Sequence, residues 1–233
     1  MFELLKKMSR PVYAVFVAGG SGTRMGTELP KQFLELEGTP VLQRTIERFL
    51  DAENDTHVIT VLPERYIPVW TEMCVTRTVA FTQTVVRGGM TRFHSVQNAL
   101  DKVPDGAIVA IQDGVRPLFT PELVRNMLDR MKVCGALIPV VPVVDTLRAA
   151  EDGVKVPDRS LLRAVQTPQM FWSELIRKAY RQPYDPSFTD DASVAERAGI
   201  KVQTVPGERL NIKLTTPEDL ALASAILRIQ AQG

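Results

Sequence analysis

Short apolar runs alternate with longer amphipathic stretches along this chain, and the alternation predicts strands and helices in turn. The runs Val12–Val17, His57–Leu62, Gln83–Arg87, Ala107–Gln112, Ala136–Val141 and Lys201–Val205 read as strands. Val58-Ile59-Thr60-Val61-Leu62 is Val/Ile-rich, which suits a strand covered on both faces. Helical periodicity predicts Val41–Ala52, Glu64–Cys74, Thr91–Lys102, Pro121–Val133, Ser173–Arg181, Asp191–Ala198 and Pro217–Ile229. Thr120-Pro121-Glu122 and Thr216-Pro217-Glu218-Asp219 carry start signals: a capping Thr, Pro at the first helical position and acids in the first turn. Such alternation predicts an α/β fold on a mainly parallel sheet.

Val144 to Met170 interrupts the pattern. It contains Pro157 and Pro168, charged residues throughout and short β-prone pieces without a core face. A loop of that length inside a compact domain is usually functional or an interaction element. The segment, about 144–170, therefore reads as a protruding β-arm on a single domain spanning 1–233, since no linker or internal repeat divides the chain.

Composition narrows the class further. The 233 residues are 45% hydrophobic and 24% charged, ordinary for a globular protein, which excludes disordered and fibrous classes. A net charge of +1, from 28 basic and 27 acidic side chains, argues against a nucleic-acid binder but leaves room for a small anionic substrate. Cys74 and Cys134 share no CxxC spacing and read as reduced thiols. Lys6, Lys7 and Arg10 are followed by no apolar targeting core, and Val12–Ala18 is too short to span a bilayer. These features predict a cytoplasmic protein without membrane attachment.

The densest chemistry follows the first strand: Ala18-Gly19-Gly20-Ser21-Gly22-Thr23-Arg24, continuing to Pro30-Lys31-Gln32. Glycines allow backbone N–H groups to approach a phosphate chain and form an anion-binding concavity. A Walker A loop is excluded, because no Lys-Ser or Lys-Thr follows the glycines. A dinucleotide fingerprint fits Gly20 and Gly22 but meets Met25 at its third glycine position, and the following segment does not read as a helix. Arg24 and Lys31 instead suggest a triphosphate loop, the Arg supplying a planar fork and the Lys a compact charge. A solvated surface loop with chance basic residues is the plain alternative.

Further motifs punctuate the strand ends. Gly88-Gly89-Met90-Thr91-Arg92-Phe93-His94-Ser95-Val96 opens a helix, where free N–H groups attract anions. Gln112-Asp113-Gly114-Val115-Arg116-Pro117 ends a strand, and a carboxylate there can hold Mg²⁺ or simply cap the next turn. Thr189-Asp190-Asp191-Ala192 is explained physically by a capped helix start.

The loop Gly20-x-Gly22-x-Arg24 with Pro30-Lys31 resembles the signature G-x-G-x-R-x(6)-P-K of the sugar-phosphate nucleotidylyltransferases, with five residues in place of six before the Pro. Within that superfamily the chain resembles the 2-C-methyl-D-erythritol 4-phosphate cytidylyltransferase family, over about residues 12 to 228. The resemblance implies a Rossmann-like three-layer sandwich that transfers a cytidylyl group from CTP to a sugar-alcohol phosphate with Mg²⁺. By resemblance, Arg24, Lys31, Arg159 and Lys213 carry the reaction. Ala18, Gly19, Gly20, Gly22, Gly89, Arg92 and Ser95 hold the nucleotide, and Asp113 serves the metal and the substrate with Arg116 bracing it. Met90 stands where many relatives have an acid, and Gly114 replaces a usual Ala. The arm motifs Val144-Asp145-Thr146, Asp158-Arg159 and Gln166-Thr167-Pro168-Gln169 match in order, which implies that Thr146, Arg159 and Thr167 position the acceptor and that the arm interlocks a homodimer. Thr189-Asp190-Asp191-Ala192 resembles the family's T-D-(D/E)-A, the capped helix start being its plain alternative, and Asn211-Ile212-Lys213-Leu214-Thr215 matches a further segment, which implies that Lys213 meets the incoming phosphate. Ribitol 5-phosphate as acceptor, and a non-catalytic nucleotide-binding module on the same fold, stay open at this level.

Overall fold

The computed structural model describes residues 10–19, 29–151 and 154–232. Ten strands and seven α-helices lie among them. The strands are β1 (Val12–Val17), β2 (Glu35–Leu36), β3 (Thr39–Pro40), β4 (His57–Leu62), β5 (Gln83–Arg87), β6 (Ile108–Asp113), β7 (Ala136–Pro142), β8 (Arg163–Val165), β9 (Gln169–Trp172) and β10 (Gln203–Pro206). The helices are α1 (Val41–Leu50), α2 (Ile67–Thr76), α3 (Arg92–Leu100), α4 (Pro121–Arg130), α5 (Ser173–Ala179), α6 (Asp191–Arg197) and α7 (Pro217–Gln232).

The main sheet runs β10-β7-β9-β6-β1-β4-β5, with β8 joined to β7. β1 pairs in parallel with both β4 and β6, while β9 is antiparallel to β6 and β7. Alternation within β1 explains the layering. Ala14 and Phe16 pack with Leu42, Ile46 and Phe49 of α1 on one face, and Val15 packs with Phe93 and Val96 of α3 on the other. Every residue of β6 is buried, as a strand covered on both faces requires. The result is the expected three-layer α/β sandwich on a mainly parallel sheet. A third cluster, with Leu36, Val41, Leu214 and Ala223, seats α7 beside the β2-β3 hairpin.

The chain runs outward from β1 to β4 and β5, then crosses back to β6 on the other side of β1. That reversal opens a crevice at the carboxyl ends of β1 and β6, the place where α/β sheets take their ligands.

Three strands match the predicted bounds, and the departures have local causes. Pro68 at the second position of α2 lacks the N–H for a bond back to residue 64, so the predicted Glu64 start becomes a 3-10 turn, Glu64–Tyr66, before the helix proper. Thr91 precedes α3 as its cap, accepting from His94 N at 3.4 Å, and Thr120 caps α4, accepting from Leu123 N at 3.1 Å. Ala107 is held from both sides by Ser173 before β6 begins, donating to Ser173 Oγ and accepting from Ser173 N, each at 3.0 Å.

The arm region shows the largest difference. Its predicted end, Gln169 and Met170, belongs to β9, a buried strand inserted at the centre of the sheet. Gln166, Thr167 and Pro168 before it are buried as well, and the described residues of 144–165 are largely exposed, with a 3-10 turn (Arg159–Leu161) and the short β8 as their regular elements.

Candidate active site

The crevice is built where three strands end. After β1, Ala18 N donates to Val61 O at 3.0 Å, and the Ala18 carbonyl accepts from buried Gln32 Nε2 at 2.9 Å. Gln32 thereby fixes the 3-10 turn Lys31–Phe33, which sets Lys31 on the cleft wall. After β5, Gly88 N donates to Leu62 O at 2.7 Å and Gly89 N donates to Ser95 Oγ at 3.1 Å. Ser95 Oγ in turn donates to Thr91 O at 2.9 Å, so one hydroxyl ties the glycine turn to the first turn of α3. Position 89 has no room for a side chain: a Cβ there would lie 2.4 Å from His94 Cβ.

Asp113 closes β6 and organises the charge. Its Oδ2 stands 3.0 Å from Lys213 Nζ and 3.2 Å from Arg116 Nε, and its Oδ1 lies 3.9 Å from Arg92 Nε. Burial pushes this carboxyl up, but Arg92, Lys213 and Arg116 together outweigh it and hold it below the usual carboxylate range. Arg116 also donates to Asn211 O at 2.8 Å, and Asn211 Nδ2 donates to Thr167 O at 2.9 Å, linking β6 to the segment that carries Lys213. Thr167 Oγ1 accepts from Asp113 N at 3.1 Å.

Arg92 is held from behind. Its two terminal nitrogens donate to Asp191 Oδ1 at 2.8 Å and Oδ2 at 2.6 Å, and Tyr180 Oη donates to Oδ1 at 2.6 Å. Burial opposes the Arg92 charge, but the Asp191 carboxylate reverses that and keeps the guanidinium firmly protonated. Desolvation and the same carboxylate raise Tyr180 well above the ordinary phenol range, so it remains a donor.

Of the predicted site residues, Ala18, Gly19, Lys31, Gly89, Arg92, Ser95, Asp113 and Lys213 line one cleft. Arg116 and Thr167 line an adjoining hollow that shares Arg92, Asp113 and Lys213 with it. Met90 stands 96% exposed at the cleft mouth. Gly20, Gly22 and Arg24 lie outside the described residues. Thr146 and Arg159 line neither of these two hollows, and Arg159 donates to Val144 O at 2.6 Å on the exposed arm.

Sequence reasoning matched Thr189-Asp190-Asp191-Ala192 to the family's T-D-(D/E)-A but gave Asp191 no role beyond cap chemistry. Asp190 is indeed the cap, accepting from Ser193 N at 2.8 Å. Asp191 is fully buried, and its spacing from Val194 and Ala195 places it on the apolar face of α6, the signal that distinguishes the two acids. Gln169 was missed too; it donates to Asp190 Oδ2 and accepts from Ala192 N, both at 2.9 Å.

No group of three or more metal-ligating His, Cys, Asp or Glu side chains occurs among the described residues. Asp113 is the one carboxylate among the described residues that line the first cleft. One carboxylate beside a phosphate-binding cleft fits a Mg²⁺ ion that takes its remaining ligands from phosphate oxygens and water.

A glycine turn, converging cations and one buried carboxylate at the carboxyl ends of parallel strands define an α/β protein that handles a phosphate chain. The comparisons specify which. The family model for IspD, 2-C-methyl-D-erythritol 4-phosphate cytidylyltransferase, matches residues 12–229. The chain is 46% identical to the 2-C-methyl-D-erythritol 4-phosphate cytidylyltransferase of Bacteroides fragilis, covering 92% of this chain and 98% of the relative. It is 47% identical to that of Porphyromonas gingivalis, over 94% and 99% of the two chains. The crystal structure of 4-diphosphocytidyl-2C-methyl-D-erythritol synthase from Anaerococcus prevotii superposes with a TM-score of 0.79 at 27% identity, covering 94% and 96% of the chains. The chain belongs to the 2-C-methyl-D-erythritol 4-phosphate cytidylyltransferase family.

Proposed function

We infer that the protein transfers the cytidylyl group of CTP to 2-C-methyl-D-erythritol 4-phosphate, forming 4-diphosphocytidyl-2-C-methyl-D-erythritol and pyrophosphate for non-mevalonate isoprenoid synthesis. The observation that carries this reading is the sharing of Arg92, Asp113 and Lys213 by two adjoining hollows. One hollow has the glycine turn and Lys31 and suits the nucleotide; the other suits the acceptor phosphate.

An oxygen of the acceptor phosphate attacks the α-phosphorus of CTP in line. The bond from that phosphorus to the oxygen bridging to the β-phosphate breaks, and pyrophosphate leaves. The attacking phosphate is already ionised at neutral pH, so no general base is needed. The obstacle is repulsion between two anions, and cations fixed beforehand lower it. Lys31 is placed to meet the nucleotide phosphates, with Arg24 assigned the same task by family resemblance. Lys213, 43% exposed at its side chain, has the freedom to exchange Asp113 for the acceptor phosphate. Mg²⁺, held at Asp113 and by the triphosphate, would add further charge neutralisation. Asp113 N–H fixes the Thr167 oxygen and leaves its hydroxyl proton directed by substrate.

Thr146 and Arg159 are assigned to acceptor binding across a homodimer, the exposed arm reaching its partner. Sedimentation of the intact protein tests this, and a monomer at catalytic concentrations would refute it. Two free thiols, Cys74 and Cys134, accord with a cytoplasmic setting, and no described helix is long and apolar enough to cross a membrane. The assignment of substrate is tested by pyrophosphate release from CTP and Mg²⁺ with either methylerythritol phosphate or ribitol 5-phosphate. Rapid release with the former is expected; preference for ribitol phosphate would overturn it.

A further inference from the structure

Arg92 stands in the wall common to both hollows, and the carboxylate that hydrogen-bonds its guanidinium, Asp191, lines neither of them. It is the first residue of α3, and Asp191 is the first residue of α6. The two meet through paired bonds of 2.8 and 2.6 Å, with the Asp191 side chain wholly removed from solvent. Tyr180 donates to the same carboxylate at 2.6 Å, and its ring stacks on Phe93, the neighbour of Arg92, at 4.6 Å between centroids. Asp191 lines neither hollow.

A guanidinium has five N–H groups in a rigid fork, and a bidentate carboxylate takes two of them. The remaining three point away from Asp191. Asp113 therefore faces an Arg92 whose Nε is held 3.9 Å away, beyond hydrogen-bond distance. Two carboxylates compete for one guanidinium, and the buried one has the better geometry. Without it, Arg92 has every electrostatic reason to close onto Asp113, where Lys213 and Arg116 now sit at 3.0 and 3.2 Å.

We propose that Asp191, supported by Tyr180, is a positioning residue for cytidylyl transfer: it holds the Arg92 guanidinium off Asp113 and fixed in the wall between the donor and acceptor hollows. The proposal rests on the transferase reading above. Because it acts through geometry at the reacting phosphates, its loss affects turnover more than substrate capture.

The experiment is steady-state pyrophosphate release by the full chain carrying Asp191→Asn, which keeps the size of the side chain and removes its charge, alongside Arg92→Ala and the double variant. Asp191→Asn lowers kcat at least tenfold while KM for CTP stays within about threefold. The double variant is no slower than Arg92→Ala alone, because Asp191 works through Arg92. Tyr180→Phe lowers kcat in the same direction by a smaller factor, and it serves as the test should Asp191→Asn fail to fold. A kcat for Asp191→Asn within threefold of the parent, or losses that multiply in the double variant, would overturn the proposal. If Tyr180→Phe is the variant in use, parental kcat does so. A parent chain that releases no pyrophosphate would instead sink the transferase reading itself.

Discussion

Lys213 Nζ lies 3.0 Å from Asp113 Oδ2, an ion pair that joins the segment before α7 to the end of β6. The same oxygen accepts from Arg116, and Arg92 stands beside the other. Asp113, with Asp191 behind Arg92, thus balances three cations whose mutual repulsion would otherwise open the cleft. Breaking a buried pair by removing one partner costs about 3–5 kcal/mol, and Asp113→Asn belongs at the low end because Lys213 keeps access to water. Thermal unfolding at low salt will show the loss. Added inorganic pyrophosphate, supplying replacement negative charge, will raise the unfolding temperature of the variant more than that of the parent.

Lys31→Ala removes a positive charge from the nucleotide wall without touching the core. Turnover falls by the equivalent of about 2.7–4 kcal/mol, as for other preorganised stabilisers of developing charge. KM for either substrate changes less. Steady-state rates of pyrophosphate release decide the matter, and near-normal turnover would remove Lys31 from the transition state.

Gly89→Ala forces a methyl group against His94 at a turn already pinned by Ser95. Overpacking of this kind costs about 1–3 kcal/mol. The turn shifts to relieve it, so KM for CTP rises as stability falls. Urea denaturation with a CTP titration measures both, and a variant unchanged in either would show that the turn has room to spare.

Glu174 gives the chain a titratable tie far from the cleft. Arg10 bonds both carboxylate oxygens, at 2.8 and 2.7 Å, and holds the acid down to about 2 from its ordinary 4.5. A depressed carboxyl stabilises the fold fully above its unfolded value, and that contribution is lost as pH falls toward the folded one. The parent is therefore more stable than Glu174→Gln at neutral pH, and the difference shrinks between about pH 4.5 and 2. Urea midpoints across that window test it; a constant gap would show that the Glu174 charge is not the cause.

How much of this was legible beforehand depends on how local each feature is. β1 and β4 match their predicted bounds because their apolar runs are covered on both faces, and β5, with only Val86 buried, matches as the edge strand that pairs with β4. Thr120 and the glycine turn were readable for a similar reason, since a cap and a tight approach are written within a few residues. β9 was not readable. Its four residues follow Pro168 and carry no alternation, and they become a strand only because β6 and β7 leave a slot between them. Thr167 was assigned to substrate, yet its hydroxyl also accepts from Asp113 across 54 positions of chain.

The order of residues alone established an α/β fold and picked out most of the described side chains that line the cleft, since periodicity and motif spacing are properties of neighbouring residues. Strand order, the burial of β9 and the Asp191–Arg92 pair were settled by the folded chain. Arg92 and Asp191 are 99 positions apart, and their pairing arises only when two helix starts are brought to the same crevice and water is excluded between them.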